Sequence, residues 1–356
     1  MSSQVPQTPD EDSVAQLATK LGLSWQSIAA AQKDAESQIA LLRAAIAGLK
    51  PPSNTSVVAF GSLAREEWTQ GSDVDWTLMI DGPSDMTHFD VAKAIAEKLE
   101  ELGFKKPGPT AIFGTMASSH PLVHHIGGEE DTNQNTTRRI LLLLESVWLS
   151  DSVTQERVIR SILERYIVGD PPSTSARRYH VPLFLLNDVI RYWRTMAVDY
   201  ATKKWQRSND GWALRNIKLR MSRKLLYAKG LLACLLCDEQ FGGLHVEESV
   251  VEQDLLSRCF ALTRVSAIDT IADVVLRVGA FDAGRRILGS YDKFLSMLAD
   301  VTKRDSLERL EFGNSSDALF KEQRTNTNEF QEGLEQLFFE SGNDRLTKLT
   351  KRYGVF

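Results

Sequence analysis

TSVVAFGSLAREEWTQGSDVDWTLMID, residues 55–81, holds two apolar runs separated by a polar break. Val57 to Phe60 is the first run. Gly61-Ser62 interrupts it, and Asp73-Val74-Asp75 then leads a second run, Trp76 to Ile80. Alternation and β-branched content predict a short strand for each. Residues two apart on a strand point the same way, so Asp73 and Asp75 project side by side from one face. Two carboxylates that close repel unless a proton or a cation lies between them. Magnesium suits the place, because it prefers oxygen ligands and shares them with phosphates. Gly61 lets a phosphate approach the backbone, and Ser62 adds a hydroxyl and an N–H at the start of the next turn, a combination that binds anions. The plainer alternative is a surface turn followed by an acidic cap. It leaves unexplained why two charges open so apolar a run.

Gly61-Ser62 followed by Asp73-x-Asp75 on the next strand resembles the nucleotidyltransferase superfamily typified by DNA polymerase β. The longer string Gly61-Ser-Leu-Ala-Arg65-x-Glu67 … Gly71-Ser72-Asp73-x-Asp75 is similar to the catalytic domain of the bacterial PII uridylyltransferases and their stand-alone relatives. The resemblance implies an α+β fold: a small mixed sheet with flanking helices, then an all-helical domain that closes the nucleotide site. It also implies transfer of a nucleoside monophosphate from an NTP or dNTP to a hydroxyl acceptor, with release of pyrophosphate. Asp73 and Asp75 would hold two magnesium ions, and Ser62 with the backbone after Gly61 would hold the β- and γ-phosphates. Arg65 and Glu67 are expected to pair with one another or to shape the loop.

Thr110 to Met116 reads as a third strand. Family members usually place a third metal carboxylate in this region, but the stretch contains no acid. Asp131 is the substitute candidate; the alternative is a solvated acidic loop that caps the next helix. The missing acid also motivates a different class of reading, a catalytically silent binding scaffold. After the loop, Thr136 or Thr137 is expected to cap a helix that begins with Arg138 and Arg139. Cations there oppose the helix macrodipole, so an anion such as a triphosphate, or an ion pair with Glu129 or Glu130, is needed to explain them. The run ending Leu-Leu-Glu145 extends the resemblance. His120, His124 and His125 are read as loop residues without a metal role, since no zincin arrangement follows.

Length suits two domains and a substantial core. The expected division is a disordered tail over 1–12, the nucleotidyltransferase domain over 13–168, a linker over 169–180 and the helical domain over 181–356. The formal net charge of -5 gives no global nucleic-acid signature. Cys234, Cys237 and Cys259 are the three cysteines; Cys234 and Cys237 lie in an apolar run and read as buried helix residues. The polar, acidic start is neither a signal nor a transit peptide, and no apolar run reaches the ~18–20 residues of a membrane span. A cytoplasmic protein without membrane contact is expected.

Helical periodicity marks Ser24 to Lys50, with Ser24 as N-cap, then His88 to Leu102 and Val153 to Val168. Beyond the linker the pattern is helical throughout: Leu183 to Trp205, Gly211 to Leu236, then roughly 248–261, 264–278, 281–303 and 316–340. Asn187, Arg191, Arg194 and Val198 share one helix face. Arg215, Lys218 and Ser222 form a stripe beside Arg220, Lys224 and Tyr227. Six cations fall between Arg215 and Lys229 with no acid among them, a density that costs helix stability unless an anion offsets it. The resemblance assigns Lys218 and Ser222, then Lys224 and Tyr227, to the incoming triphosphate.

The acceptor is read first as a nucleotide or oligonucleotide, as in signal or oligomer synthesis, including antiviral defence. Phosphates and bases suit the cations together with Tyr192, Trp193, Trp205 and Trp212. The alternative is nucleotidylylation of a regulatory protein. Phe338-Phe339 suggests a protein partner for the C-terminal helices, or simple docking onto the bundle.

Overall fold

The computed structural model describes residues 12–107, 112–169, 180–206, 211–238 and 251–355. Nearly all of the expected tail and linker lies outside them. Ala29–Val168 form one compact unit, and the described residues on either side of it form the other.

Two elements precede the sheet, α1 (Ser13–Leu21) and α2 (Gln26–Ala47). Then follow β1 (Thr55–Phe60), α3 (Gly61–Ala64), β2 (Asp75–Ile80), α4 (Met86–Glu101), β3 (Thr115–Ser118), α5 (Ser119–His124), α6 (Asn133–Leu144), β4 (Val147–Trp148) and α7 (Ser152–Gly169). The strands lie in the order β3-β2-β1-β4, with β1 antiparallel to both neighbours and β2 parallel to β3. This is the expected small mixed sheet. On one face Val57, Ala59, Trp76 and Leu78 pack with Ala35, Leu42 and Ile46 of α2 and Ile95 and Leu99 of α4. The other face carries Val58, Phe60, Thr77 and Met79, which line a small cavity together with Leu122 of α5 and Arg138 and Leu142 of α6. Cover on both sides explains why the two strands are apolar at almost every position rather than at every second one.

Several boundaries differ from the sequence reading, each for a local reason. The third strand is Thr115–Ser118; Thr110 and Ala111 lie outside the described residues, and Ile112–Gly114 form a bend. Ser118 accepts the His120 N–H and starts α5, so His120 and His124 lie on a helix and His125 closes it, where a loop was expected. Asp85 and His88 form a reciprocal cap, which starts α4 at Met86. Ser24 does not cap α2: the N–H groups of Ser27 and Ile28 are taken by Asp292 Oδ1 at 2.8 and 3.0 Å. Thr132, not Thr136 or Thr137, caps α6, so Arg138 and Arg139 sit in its second turn, past the end where the macrodipole acts most strongly.

The second unit holds α1 and a series of helices: α8 (Leu183–Gln206), α9 (Trp212–Lys218), a π-helical segment (Leu219–Arg223), α10 (Lys224–Leu235), α11 (Val251–Arg264), α12 (Ala267–Val278), α13 (Phe281–Ala299), α14 (Val301–Glu308), α15 (Ala318–Phe339) and α16 (Asp344–Leu349), with a second π segment at Thr350–Val355. No strand occurs among its described residues. From Leu225 to Leu235 nearly every residue of α10 is buried, as a helix at the centre of a bundle requires. α1 had no counterpart in the sequence reading; the Val14 N–H bonds Asp269 Oδ1 at 3.0 Å. The helix expected over 281–303 is broken at Asp300, whose side chain caps α14. Phe338 is buried and Phe339 exposed. The three cysteines are free and buried, with the sulfurs of Cys237 and Cys259 3.2 Å apart. Among the described residues no helix is long and apolar enough to cross a membrane.

Candidate functional site

β1 ends at Phe60, which pairs in register with Asp75. The next residue, Gly61, has φ +71, a left-handed conformation that disfavours side chains. A Cβ built on it would lie 2.7 Å from Asp75 Oδ2. Glycine is therefore needed twice here, for the backbone and for the approach of the carboxylate. Ser62 is half-buried, and its hydroxyl has no hydrogen-bond partner among the described residues. The turn closes through Arg65 N–H to Gly61 O at 3.0 Å and Glu67 N–H to Ser62 O at 2.8 Å.

Asp73 is exposed and Asp75 half-buried, with fully buried Val74 between them. Asp73 lies two residues before β2 and bridges the backbone of Lys105. Alternation around Val74 turns both carboxylates away from the α2–α4 face. Their donor set is hard oxygen beside a hydroxyl-bearing turn, which fits a hard divalent cation that keeps several waters. Among the described residues no group of three or more His, Cys, Asp or Glu is placed to hold a metal. The register Thr77↔Thr115, carried two residues back, sets Phe113 beside Asp75. An aromatic ring stands on that neighbouring position, 5.4 Å from the ring of Phe60.

Arg65 pairs with Glu67, as one of the sequence alternatives had it, and also with a residue not anticipated, Glu145. Nε lies 3.0 Å from Glu67 Oε2, and Nη1 lies 2.6 Å from Glu145 Oε2. All three side chains are buried. The signal for Glu145 was a charge closing the apolar run of α6, where burial follows from the helix itself. Lys105 was also missed. It borders a recess of about 480 Å³ shared with Lys93, Phe104, Lys106 and Phe113.

Asp131 is buried, and Arg139 engages both of its oxygens, at 3.1 and 2.8 Å. Arg139 also donates to Tyr166 Oη at 2.6 Å. The cation that seemed to need an anion thus has one within the protein, and Asp131, the substitute third carboxylate, is occupied by an ion pair. Arg138 lies on the sheet face opposite the α2–α4 core, donates to Ile112 O at 3.4 Å among other contacts, and its guanidinium is pulled below its ordinary value by burial.

In the helical unit, Lys218 is half-buried, and Ser222 is buried with its hydroxyl 3.4 Å from Tyr291 Oη. Lys224 donates to Gln331 Oε1; burial first, then the charge of Arg220, pull its ammonium down. Tyr227 stacks on Trp193 at 5.3 Å, and burial pushes its phenol up. Lys229 is fully inside and donates to Thr263 O at 3.0 Å, near the end of α11. Arg191 is half-buried and Arg194 exposed on α8. The six cations are therefore not a bare row: Arg215, Lys218 and Arg223 also have partners. The π segment, which widens the helix at Leu219–Arg223, contains Ser222 and is flanked by Lys218 and Lys224, and such bulges often mark functional sites.

No curated protein matches the chain. Residues 13–122 match the family model described as Putative nucleotidyltransferase DUF294, a span that includes Gly61, Ser62, Asp73 and Asp75. The match supports a nucleotidyltransferase-type family and a transferase role; it does not reach the narrower likeness to PII uridylyltransferases.

Proposed function

We propose that this protein is a metal-dependent, template-independent nucleotidyltransferase acting on a nucleoside triphosphate, with a nucleotide or oligonucleotide as acceptor. The observation that carries the reading is the fit of Gly61 against Asp75: a left-handed glycine opens the Ser62 turn where only a hydrogen leaves room for the carboxylate. A surface turn with an acidic cap has no need of that contact.

Asp73 and Asp75 are the residues that would hold the magnesium ions. When bound, such ions neutralise charge developing on the phosphoryl oxygens and lower the pKa of an attacking hydroxyl. Ser62 and the backbone after Gly61 orient the triphosphate, and Arg138, carried on α6, adds positive charge for it. Lys218, Arg191 and Arg194 are the helical unit's candidates for phosphate groups of nucleotide or acceptor, with Lys224, Ser222 and Tyr227 shaping the same helix. Lys218, Arg191, Ser222 and Lys224 all have partners within the protein, so a phosphate would share or displace those contacts. Half-buried Trp193, stacked on Tyr227, supports an acceptor with bases.

The test is incubation with each labelled triphosphate and magnesium, with and without added oligonucleotide. A ladder or a new small product is the expected result, lost when Asp73 and Asp75 are both replaced by Ala in a protein that stays folded. Label on a polypeptide would transfer the reading to protein modification, and no turnover with any acceptor would leave the binding scaffold.

A further inference from the structure

We propose that Arg65 is a positioning residue for the Gly61–Ser62 turn, locking it to the end of α6 through Glu145; this rests on the nucleotidyl-transfer reading above. Arg65, Glu67 and Glu145 are 9%, 4% and 1% exposed. Burying three charged groups is expensive, and apolar residues of similar volume often do as well for stability. What an ionic network adds is a fixed direction, and this one is fixed at the turn.

Its placement follows from the sheet. β4 pairs with β1 as Ala59↔Val147 and Val58↔Trp148. Carried on two residues, that register brings Glu145 beside Gly61. The pairing of β1 with β2 brings Asp75 beside Phe60 on the other flank. The turn is thus held from two sides, by the Asp75 carboxylate against Gly61 and by the guanidinium bound to Glu145. Arg65 also grips Glu67, whose N–H closes on Ser62 O at 2.8 Å, so a shift of the guanidinium is passed directly to Ser62. Between them Glu66 keeps φ +61, a strained conformation for a residue with a side chain. Such strain costs on the order of 1–3 kcal/mol and persists only where the surroundings over-determine it. A lysine offers a point charge and no rigid fork, so it cannot reproduce both contacts with one geometry.

The experiment compares wild type with Arg65→Lys and Glu145→Gln. Mn²⁺ binding is read by the loss of free-ion EPR signal. Binding of α,β-methylene ATP, GTP, CTP and UTP, and of the matching monophosphates, is read by calorimetry with Mn²⁺ present. Both variants are expected to lose at least about tenfold in triphosphate affinity, with Mn²⁺ and monophosphate affinities within twofold of wild type. A purely structural role would instead lower all three together with the unfolding midpoint. Glu145→Gln, close in shape to the native side chain, keeps the comparison alive if Arg65→Lys fails to fold. Variants that bind triphosphate as tightly as wild type overturn this inference alone. A wild type that binds Mn²⁺ but no triphosphate overturns the transfer reading, and this inference with it.

Discussion

Replacing Gly61 by Ala adds one methyl group and separates two effects. At φ +71 any residue with a Cβ pays the left-handed penalty, about 1–2 kcal/mol. Gly103, in the same unit, has φ +80 but nothing within 4 Å of where a methyl would sit, so Gly103→Ala pays that penalty and nothing else. At Gly61 the methyl would also lie 2.7 Å from Asp75 Oδ2, well inside ordinary contact, and the carboxylate must retreat by several tenths of an ångström. Misplacement on the order of 1 Å costs an enzyme about a hundredfold in rate. Gly103→Ala should therefore lose about 1–2 kcal/mol, and Gly61→Ala at least as much, in urea unfolding followed by tryptophan fluorescence, for which buried Trp76 is a native probe. Only Gly61→Ala should lose about two orders of magnitude in label transfer. If Gly61→Ala keeps the rate of Gly103→Ala, the contact with Asp75 has no part in the chemistry and the site is wrongly built.

Asp131→Asn removes the charge facing fully buried Arg139, and breaking such a pair costs about 3–5 kcal/mol. Urea unfolding should show that loss, while Mn²⁺ affinity of the folded protein stays at the wild-type value; a drop in Mn²⁺ affinity would return Asp131 to the metal site. Tyr227 sets a pH dependence. Burial raises its phenol above the ordinary 10.0, so stability from this group is complete below pH 10 and falls as pH rises through the folded-state value, because the unfolded chain ionises first. The loss should be absent in Tyr227→Phe, with unfolding compared at pH 9 and above 10.

The heart of the sheet was legible because its signals are local. Asp73-Val74-Asp75 and the apolar runs carry period-two information, and the Gly-Ser break, uninformative alone, gains meaning from the paired aspartates at this spacing. What escaped depended on distant partners. Nothing within α2 announces that Asp292 will take the N–H groups of Ser27 and Ile28. Glu145 reads as the polar end of a leucine run until β4 folds back along β1 and brings it to Arg65. Arg139 looked like a cation in search of a ligand because Asp131, eight residues earlier, could not be known to face it. In the helical part, periodicity placed the helices well, yet α1 was overlooked, being short and close to a polar start. The basic stripe looked emptier of partners than it is, since Gln331, Thr263 and Tyr291 come from later helices.

The wide turn at Leu219–Arg223 bears on how sequence maps to direction along this rod. One additional residue is accommodated there, so everything after it is rotated by about 100° from where a regular pitch would put it. A helical wheel drawn at constant pitch aligns Lys218 with Ser222, but in the real chain Lys218 is half-buried and Ser222 buried. Excising a single residue from the segment would restore uniform winding and swing Lys224 and Tyr227 around the axis, away from Gln331 and Trp193. This stretch should accordingly tolerate substitution far better than a change of length.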